Sequence, residues 1–289
     1  MRKKTGKILA AAAVLMVIGG IMVAVGLLNG AKTTLYWDTK EHHLECKDID
    51  DMYITQEKMK VDQFEYLNID VNGAKVSLIP SDDYYVEYSV LSDDGNPLTI
   101  QDGTLTFRDS SRRLFELNFN FAKKERNEYL IVYYKEGETL RDIKAELDMG
   151  SMNMEGVCAE RADVDLSMGS LEVKDCSIDH FDAELDMGSL HMERADIGMF
   201  KASLAMGELN ITEALVREEM DAELDMGSAD IELGQEDDKN RKLQYGFDME
   251  TDMGSIEIDG RDEGDRYSLP GDIMLKISCD MGSIALNLY

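Results

Sequence analysis

The sequence predicts an all-β architecture: a parallel β-solenoid (β-helix) of about seven coils with a β-rich N-terminal cap, preceded by one transmembrane helix. Three observations carry that expectation. The pair Met-Gly recurs at Met149, Met168, Met187, Met206, Met226, Met253 and Met281. Apolar residues alternate with polar ones around each copy. An uncharged apolar run of 21 residues, Ile8–Leu28, precedes everything else.

The Met-Gly intervals are 19, 19, 19, 20, 27 and 28 residues, and a period of this size signals a repeat architecture. The positions two, four and six before each Met read Leu147/Ala145/Ile143, Leu166/Val164/Ala162, Leu185/Ala183/Phe181, Leu204/Ala202/Phe200 and Leu224/Ala222/Met220. The last two copies read Thr251/Met249/Phe247 and Cys279/Ile277/Leu275, so Thr251 alone is polar. Polar residues such as Asp182, Glu184 and Asp186 stand between them, which is the period-two pattern of a strand with one buried face. After the glycine the alternation resumes with Leu171/Val173, Leu190/Met192, Leu209/Ile211 and Ile256/Ile258, and a further pair follows at Cys176/Ile178 and Ala195/Ile197. Each repeat is two or three short strands that cannot bury their own apolar face, so parallel stacking of coils is required. The glycine supplies either the positive φ or the missing Cβ that a tight corner needs. Seven coils at about 4.8 Å would form a rod of roughly 34 Å.

Stacking brings equivalent outward residues one strand spacing apart, where like charges repel. The residue before each Met reads Asp148, Ser167, Asp186, Ala205, Asp225, so acid and neutral alternate, and the pattern breaks at Asp252 and Asp280. Five before each Met stand Lys144, Asp163, Asp182, Lys201 and Asp221. The stretch Thr212–Met226 contains good helix formers, but Met220, Ala222, Leu224 and Met226 fit the strand template, which is preferred. The extra residue of that 20-residue interval is expected as a bulge or a short helical corner.

At the N-terminus, Arg2, Lys3, Lys4 and Lys7 precede the apolar run, and no acid occurs before Asp38. A helix of this length covers roughly the 30 Å of a bilayer core. The basic residues orient it with residues 1–7 cytoplasmic and the C-terminal domain extracellular. A cleaved signal peptide is the rival, with an unusually long apolar stretch and a poor cleavage sequence at Leu28-Asn29-Gly30-Ala31. The expected organisation is a tip (1–7), an anchor (8–28), a stalk (29–60), a β-rich N-terminal module (61–141) and the Met-Gly solenoid (142–289). Residues 36–134 hold 15 of the 21 aromatics, whereas residues 135–289 hold 14 of the 19 methionines, so the two are built differently.

In the N-terminal module, strand-like runs fall at Tyr66–Val71, Val76–Ile79, Tyr84–Val90, Leu98–Ile100, Leu105–Phe107, Phe115–Phe121 and Leu130–Tyr134. Turn signals such as Asn72-Gly73 and Asp93-Asp94-Gly95-Asn96-Pro97 separate them. The module is expected to cover the first coil's open edge. The sequence ends on the strand Ile284–Leu288, which implies a C-terminal cap that is weak or supplied by a partner.

The segments FEYLNIDV (64–71), VSLIPSDDYYVEY (76–88) and DGTLTF (102–107), with the glycine-centred strands after residue 140, resemble the bacterial "putative adhesin" β-strand-repeat domain of unknown function, found in membrane-anchored envelope proteins. The resemblance covers roughly residues 61–289. Family members usually place Ser-Gly or Gly-Asp at the repeat corner, where this chain has Met-Gly-Ser. The resemblance implies a binding or envelope-stress regulatory role and brings no catalytic residues with it.

Composition narrows function by exclusion. Thirty basic residues against 59 acids give a net charge of −29. Residues 30–289 carry 26 of those bases against all 59 acids, a net of −33. Such a surface repels phosphate backbones and argues against nucleic-acid binding. Cys46, Cys158, Cys176 and Cys279 are too few and scattered for a disulfide framework. Cys176 shares an inward slot with Val157 and Ala195 and reads as a buried small hydrophobe, although an inter-coil disulfide is conceivable in an exported protein. His42, His43, His180 and His191 form no metal-binding spacing, and no phosphate loop, GxSxG or HExxH sequence occurs. The recurring methionines raise the idea of a soft-metal site such as Cu(I), but alternation with Leu and Ala assigns them to the buried face and to core packing. The acidic rows Asp182/Glu184/Asp186 and Asp221/Glu223/Asp225 could gather Ca²⁺, with a solvated face as the simpler reading. The expected function is therefore a non-catalytic binding, adhesin-like or regulatory module that meets an envelope protein or polymer and needs no cofactor. The alternatives are a polysaccharide-active β-helix enzyme and a Ca²⁺-responsive rod.

Overall fold

The computed structural model describes residues 14–23, 25–26, 34–38, 43–47, 53–91, 95–109, 116–118, 127–236 and 241–289. Within the apolar run, residues 14–23 and 25–26 are helical, and residues 14–23 expose their side chains. Among the described residues no helix is long and apolar enough to cross a membrane. The rest of the expected span lies outside the described residues.

The other described residues form strands and the turns and loops between them. In chain order the strands are β1 (Thr34–Asp38), β2 (His43–Lys47), β3 (Tyr53–Lys60), β4 (Tyr66–Val71), β5 (Lys75–Ser81), β6 (Tyr85–Leu91), β7 (Leu98–Gln101), β8 (Thr104–Arg108) and β9 (Glu116–Asn118). They continue with β10 (Tyr129–Lys135), β11 (Leu140–Glu155), β12 (Cys158–Lys174), β13 (Ser177–Glu193), β14 (Asp196–Leu233), β15 (Tyr245–Ile258), β16 (Arg261–Gly264), β17 (Arg266–Leu269) and β18 (Ile273–Leu288). The chain forms two compact units, one of residues 1–53 and 112–125, the other of residues 54–111 and 126–289. In the first, β1 pairs antiparallel with β2 on one side and β9 on the other. The stretch expected as a stalk, 29–60, thus contains three strands.

The second unit is a 15-stranded, mostly parallel sheet with the course of a solenoid. Strand β11 lies parallel on β4 with its first part, Ile143 opposite Leu67, and on β5 with its second, Met152 opposite Val76. Strands β12, β13 and β14 follow in parallel, with Met149, Met168, Met187 and Met206 in register. The expected inward residues are buried throughout: Leu166, Val164 and Ala162 before the corner, Leu171 and Val173 after it, and Ile178 beyond. Thr212–Met226 is strand, as the template required, and β14 continues through two coils. The extra residue falls in the corner Arg217–Glu219, where Arg217 bridges Asp179 (3.0 Å) and Asp196 (2.7 Å).

The corner itself depends on glycine. Gly188 has φ +159, and a Cβ there would fall inside the carbonyl group of Gly169 directly below it. The same contact recurs from Gly150 through Gly169, Gly188, Gly207 and Gly227 to Gly282 and Gly254, so one glycine stands on the next along the stack. In the first coil the corner is Asn72-Gly73-Ala74-Lys75, set in register by Leu147 opposite Val71 and Ser151 opposite Lys75. Ala74 there takes the glycine position and Gly73 the methionine position.

The last two coils overturn sequential stacking. Strand β18 pairs with β14, Met226 opposite Met281, and also with β15, Met253 opposite Met281. The C-terminal strand is therefore inserted between its two predecessors. The row before the methionines stays broken, with Asp225, Asp280 and Asp252 at equivalent places, but two neighbouring rows gain relief from the insertion. Lys276 stands between Asp221 and Asp248, and Ser278 stands between Glu223 and Glu250, where sequential stacking would have set acid on acid. The C-terminal cap, expected to be weak or borrowed, is internal: β16 and β17 run antiparallel along β15. The opposite end is closed similarly, by β6 antiparallel to β10 and β7 antiparallel to β8. Such antiparallel returns occupy edges that would otherwise invite pairing with another chain.

Two measurements test these arrangements. Gly188→Ala should cost about 2–4 kcal/mol through strain and displacement of the neighbouring carbonyl, lowering the melting temperature by about 5–10 °C. Lys276→Glu removes the ammonium that donates to Glu219 at 2.6 Å and places a third carboxylate in line with Asp221 and Asp248. Its melting temperature should fall below wild type, and the gap should narrow as salt rises from about 0.05 to 0.5 M.

Candidate functional site

A groove of about 280 Å³ crosses β12, β13 and β14 at the corner before the acidic face. Its position follows from the repeat. Two consecutive exposed residues, such as Glu160-Arg161 and Asp179-His180, interrupt the alternation and turn the chain outward. Stacking then aligns Arg161, His180 and Met199 in one row and Asp163, Asp182 and Lys201 in the next. Glu219 and Asp221 of the following coil extend the lining. Phe181 and Phe200 line the groove from below, both 2% exposed, with ring centroids 5.7 Å apart and tilted by 41°. Arg161 lies 3.8 Å from Asp163. The hydrogen bond to Glu219 holds Lys276 above the ordinary lysine range. The groove thus offers both signs of charge at coil spacing over an aromatic base.

A second column follows the turn that closes each coil. Gly156, Asp175, Arg194 and Glu213 all have φ between 51° and 63°, the left-handed region. Arg194 donates through Nε and Nη2 to the two carboxylate oxygens of Asp175, at 2.7 and 3.0 Å. That fork holds the Asp175 carboxyl below the usual carboxylate range and Arg194 above its own. Just inside the turn, the Cys176 thiol donates toward the carbonyls of Lys174 (3.1 Å) and Met154 (3.4 Å), and burial pushes its pKa up to about 12. The buried Tyr245 hydroxyl sits against the backbone of Val216 and Gly234, and burial raises it to about 12.

The register gives the carboxylates considered for Ca²⁺ mixed neighbours. Asp182 stands between Asp163 and Lys201, and Glu184 between Asp165 and Ser203. Asp221 faces Lys276, and Glu223 faces Ser278. Asp186 and Asp225 precede their Met corners, with Ala205 standing at the equivalent place in the coil between. Among the described residues no three His, Cys, Asp or Glu side chains come together to hold a metal ion. His191 points outward between Glu172 and Asn210, and the side chains of His42 and His43 lie outside the described residues. Cys158, Cys176 and Cys279 are free thiols.

The methionines require a correction. The residues that mark the corners are exposed: Met187 by 42%, Met226 by 40% and Met253 by 65%. They form an outer row, because Met, Gly and Ser occupy the bend where the strand changes face. The buried methionines are others, among them Met152, Met154, Met192, Met220 and Met249.

The stacked strands and their aligned rows define an all-β, solenoid-like repeat domain. Residues 64–271 match the Toastrack DUF4097 family, and the chain belongs to that family. Solved structures similar to it include a "putative cell adhesion protein" from Clostridium sporogenes, with 12% identity over 82% of this chain and 100% of that one, at a TM-score of 0.30. A "putative adhesin" from Bacteroides fragilis shares 10% identity over 82% and 97% of the two chains, at a TM-score of 0.39. A "putative lipid binding protein" from Parabacteroides distasonis shares 14% over 82% and 96%, at a TM-score of 0.34. No curated protein matches the chain.

The thiols provide a direct test of the turn column. A raised pKa leaves almost no thiolate on Cys176 at about pH 8, and burial blocks access as well. Iodoacetamide at that pH should therefore label half-exposed Cys158 before Cys176 and Cys279, which stay protected until denaturant is added, as peptide mass spectrometry can read.

Proposed function

We propose that the chain is a non-catalytic binding module of the bacterial cell envelope, held at the membrane by its N-terminal apolar segment. Its groove around Arg161, His180, Met199 and Lys201 is the contact for an extended envelope protein or polymer. The observation that carries this reading is the alignment of the lining residues: each coil contributes the same two positions, so side chains recur along the groove at one strand spacing, charged throughout in the row Asp163, Asp182 and Lys201. A ligand with its own repeating groups engages such rows more readily than a compact metabolite. The membrane attachment is supported by the basic tip Arg2, Lys3, Lys4 and Lys7 and by the exposed apolar side chains from Val14 to Val23.

A photo-crosslinking residue in place of Met199, which is 38% exposed within the groove, tests this in intact cells. The expected result is one envelope component captured from that position and not from a control at exposed Glu172. Equal capture from both positions, or none from Met199, would exclude the groove as the contact. The purified full-length chain should also leave envelope glycans intact, and release of reducing ends would refute the non-catalytic reading.

A further inference from the structure

The exposed row of corner methionines is not explained by packing. The corner position tolerates Gly73 in the first coil, so the fold places no demand for an apolar side chain there. Yet all seven later corners carry Met, each at least 40% exposed. Their backbones pair directly, with Met149 on Met168, Met168 on Met187 and Met187 on Met206. Gly227 stacks on Gly207, which carries the row on to Met226, and Met281 and Met253 follow.

We propose that this row is a binding site for a soft monovalent metal ion, Cu(I) or Ag(I), held between thioethers of neighbouring coils. The ligand class follows from the donor atoms: neutral thioether sulfur favours soft ions and is a poor ligand for Ca²⁺ or Mg²⁺. Neighbouring corners stand about 4.8 Å apart at the backbone. The methionine side chain has three rotatable bonds, so sulfurs from two or three adjacent coils can converge on one ion. Carboxylates such as Asp186 and Asp225 precede their methionines, and their field draws cations toward the row without supplying the preferred donors. The row lies at a different corner from the groove, so this inference is independent of the binding role proposed above.

The test uses full-length protein carrying ¹³C-methyl methionine, titrated with Ag(I) as a redox-inert probe. Methyl shifts report on thioether sulfur and are not produced by the free cysteines. The corner methyl signals should move and saturate, while those of buried Met152, Met154 and Met192 stay in place. The variant with all seven corners replaced, Met149→Leu, Met168→Leu, Met187→Leu, Met206→Leu, Met226→Leu, Met253→Leu and Met281→Leu, keeps an apolar row of similar volume. It should bind Ag(I) about tenfold more weakly or worse, with an unchanged melting temperature without metal. Immobile corner methyls, or a variant that binds Ag(I) as tightly as wild type, would overturn the proposal. A variant that melts lower with its Ag(I) affinity intact would also overturn it and make the row a packing device.

Discussion

The approach of one glycine backbone to the next at the Met-Gly corner governs the rest of the second unit. The carbonyl of Gly169 occupies the space that a side chain on Gly188 would need, and the contact repeats along the stack. Parallel coils can lie this close only where the corner lacks a Cβ and accepts an unusual φ. The corner then fixes the register on both flanks at once. Leu185 falls over Leu166 before it and Leu190 over Leu171 after it, so the apolar ladders are continuous and buried. The same register aligns everything that faces outward. Rows of like residues on the surface are therefore a consequence of the corner, and their chemistry must be compatible with repetition at one strand spacing.

Insertion of the C-terminal strand is a response to that requirement. Continuing in sequence order after β14 would have set Asp248 on Asp221 and Glu250 on Glu223. Inserting β18 interposes Lys276 and Ser278 and leaves the core ladders intact, since Leu275, Ile277 and Cys279 are as well buried as Met220, Ala222 and Leu224. The arrangement also makes β15 the outermost coil, where β16 and β17 cover it. One change of order thus separates like charges in two rows and leaves the last coil with its own antiparallel cover.

Much of this was legible in the sequence because parity is a local property. Leu166, Val164 and Ala162 could be assigned to the interior from alternation alone, and the strands of the N-terminal module are marked by turn chemistry such as Asn72-Gly73. The exposure of the methionines was misread because parity was carried one step too far. Leu166 and Leu171 are both inward yet an odd number of residues apart, so the alternation must break between them, and Met168 sits at the break. The insertion of β18 was not legible by periodicity, because Met253 and Met281 occupy equivalent corners and either could follow Met226. Charge carried the missing information: Lys276 and Ser278 fit between acids, whereas Asp248 and Glu250 do not. The groove was invisible for a different reason. It arises from four coils whose lining residues are spread between Arg161 and Asp221, and no short motif marks them.

The acidic character of the chain has a local meaning in this geometry. At physiological salt a carboxylate is felt over about 8 Å, which is less than two strand spacings. Each outward acid therefore interacts chiefly with the coils immediately above and below it, and the net charge of the whole chain matters less than the neighbour in the row. Lys201 beside Asp182 and Lys276 between Asp221 and Asp248 are placed at that range. In the row that precedes the methionines, Ser167 and Ala205 separate acids, but Asp225, Asp280 and Asp252 occupy equivalent places on consecutive coils. The negative potential is accordingly concentrated at the end of the stack where β14, β18 and β15 meet. Met226, Met281 and Met253 stand there as well, so attraction for cations and the supply of soft donors coincide at the same three corners.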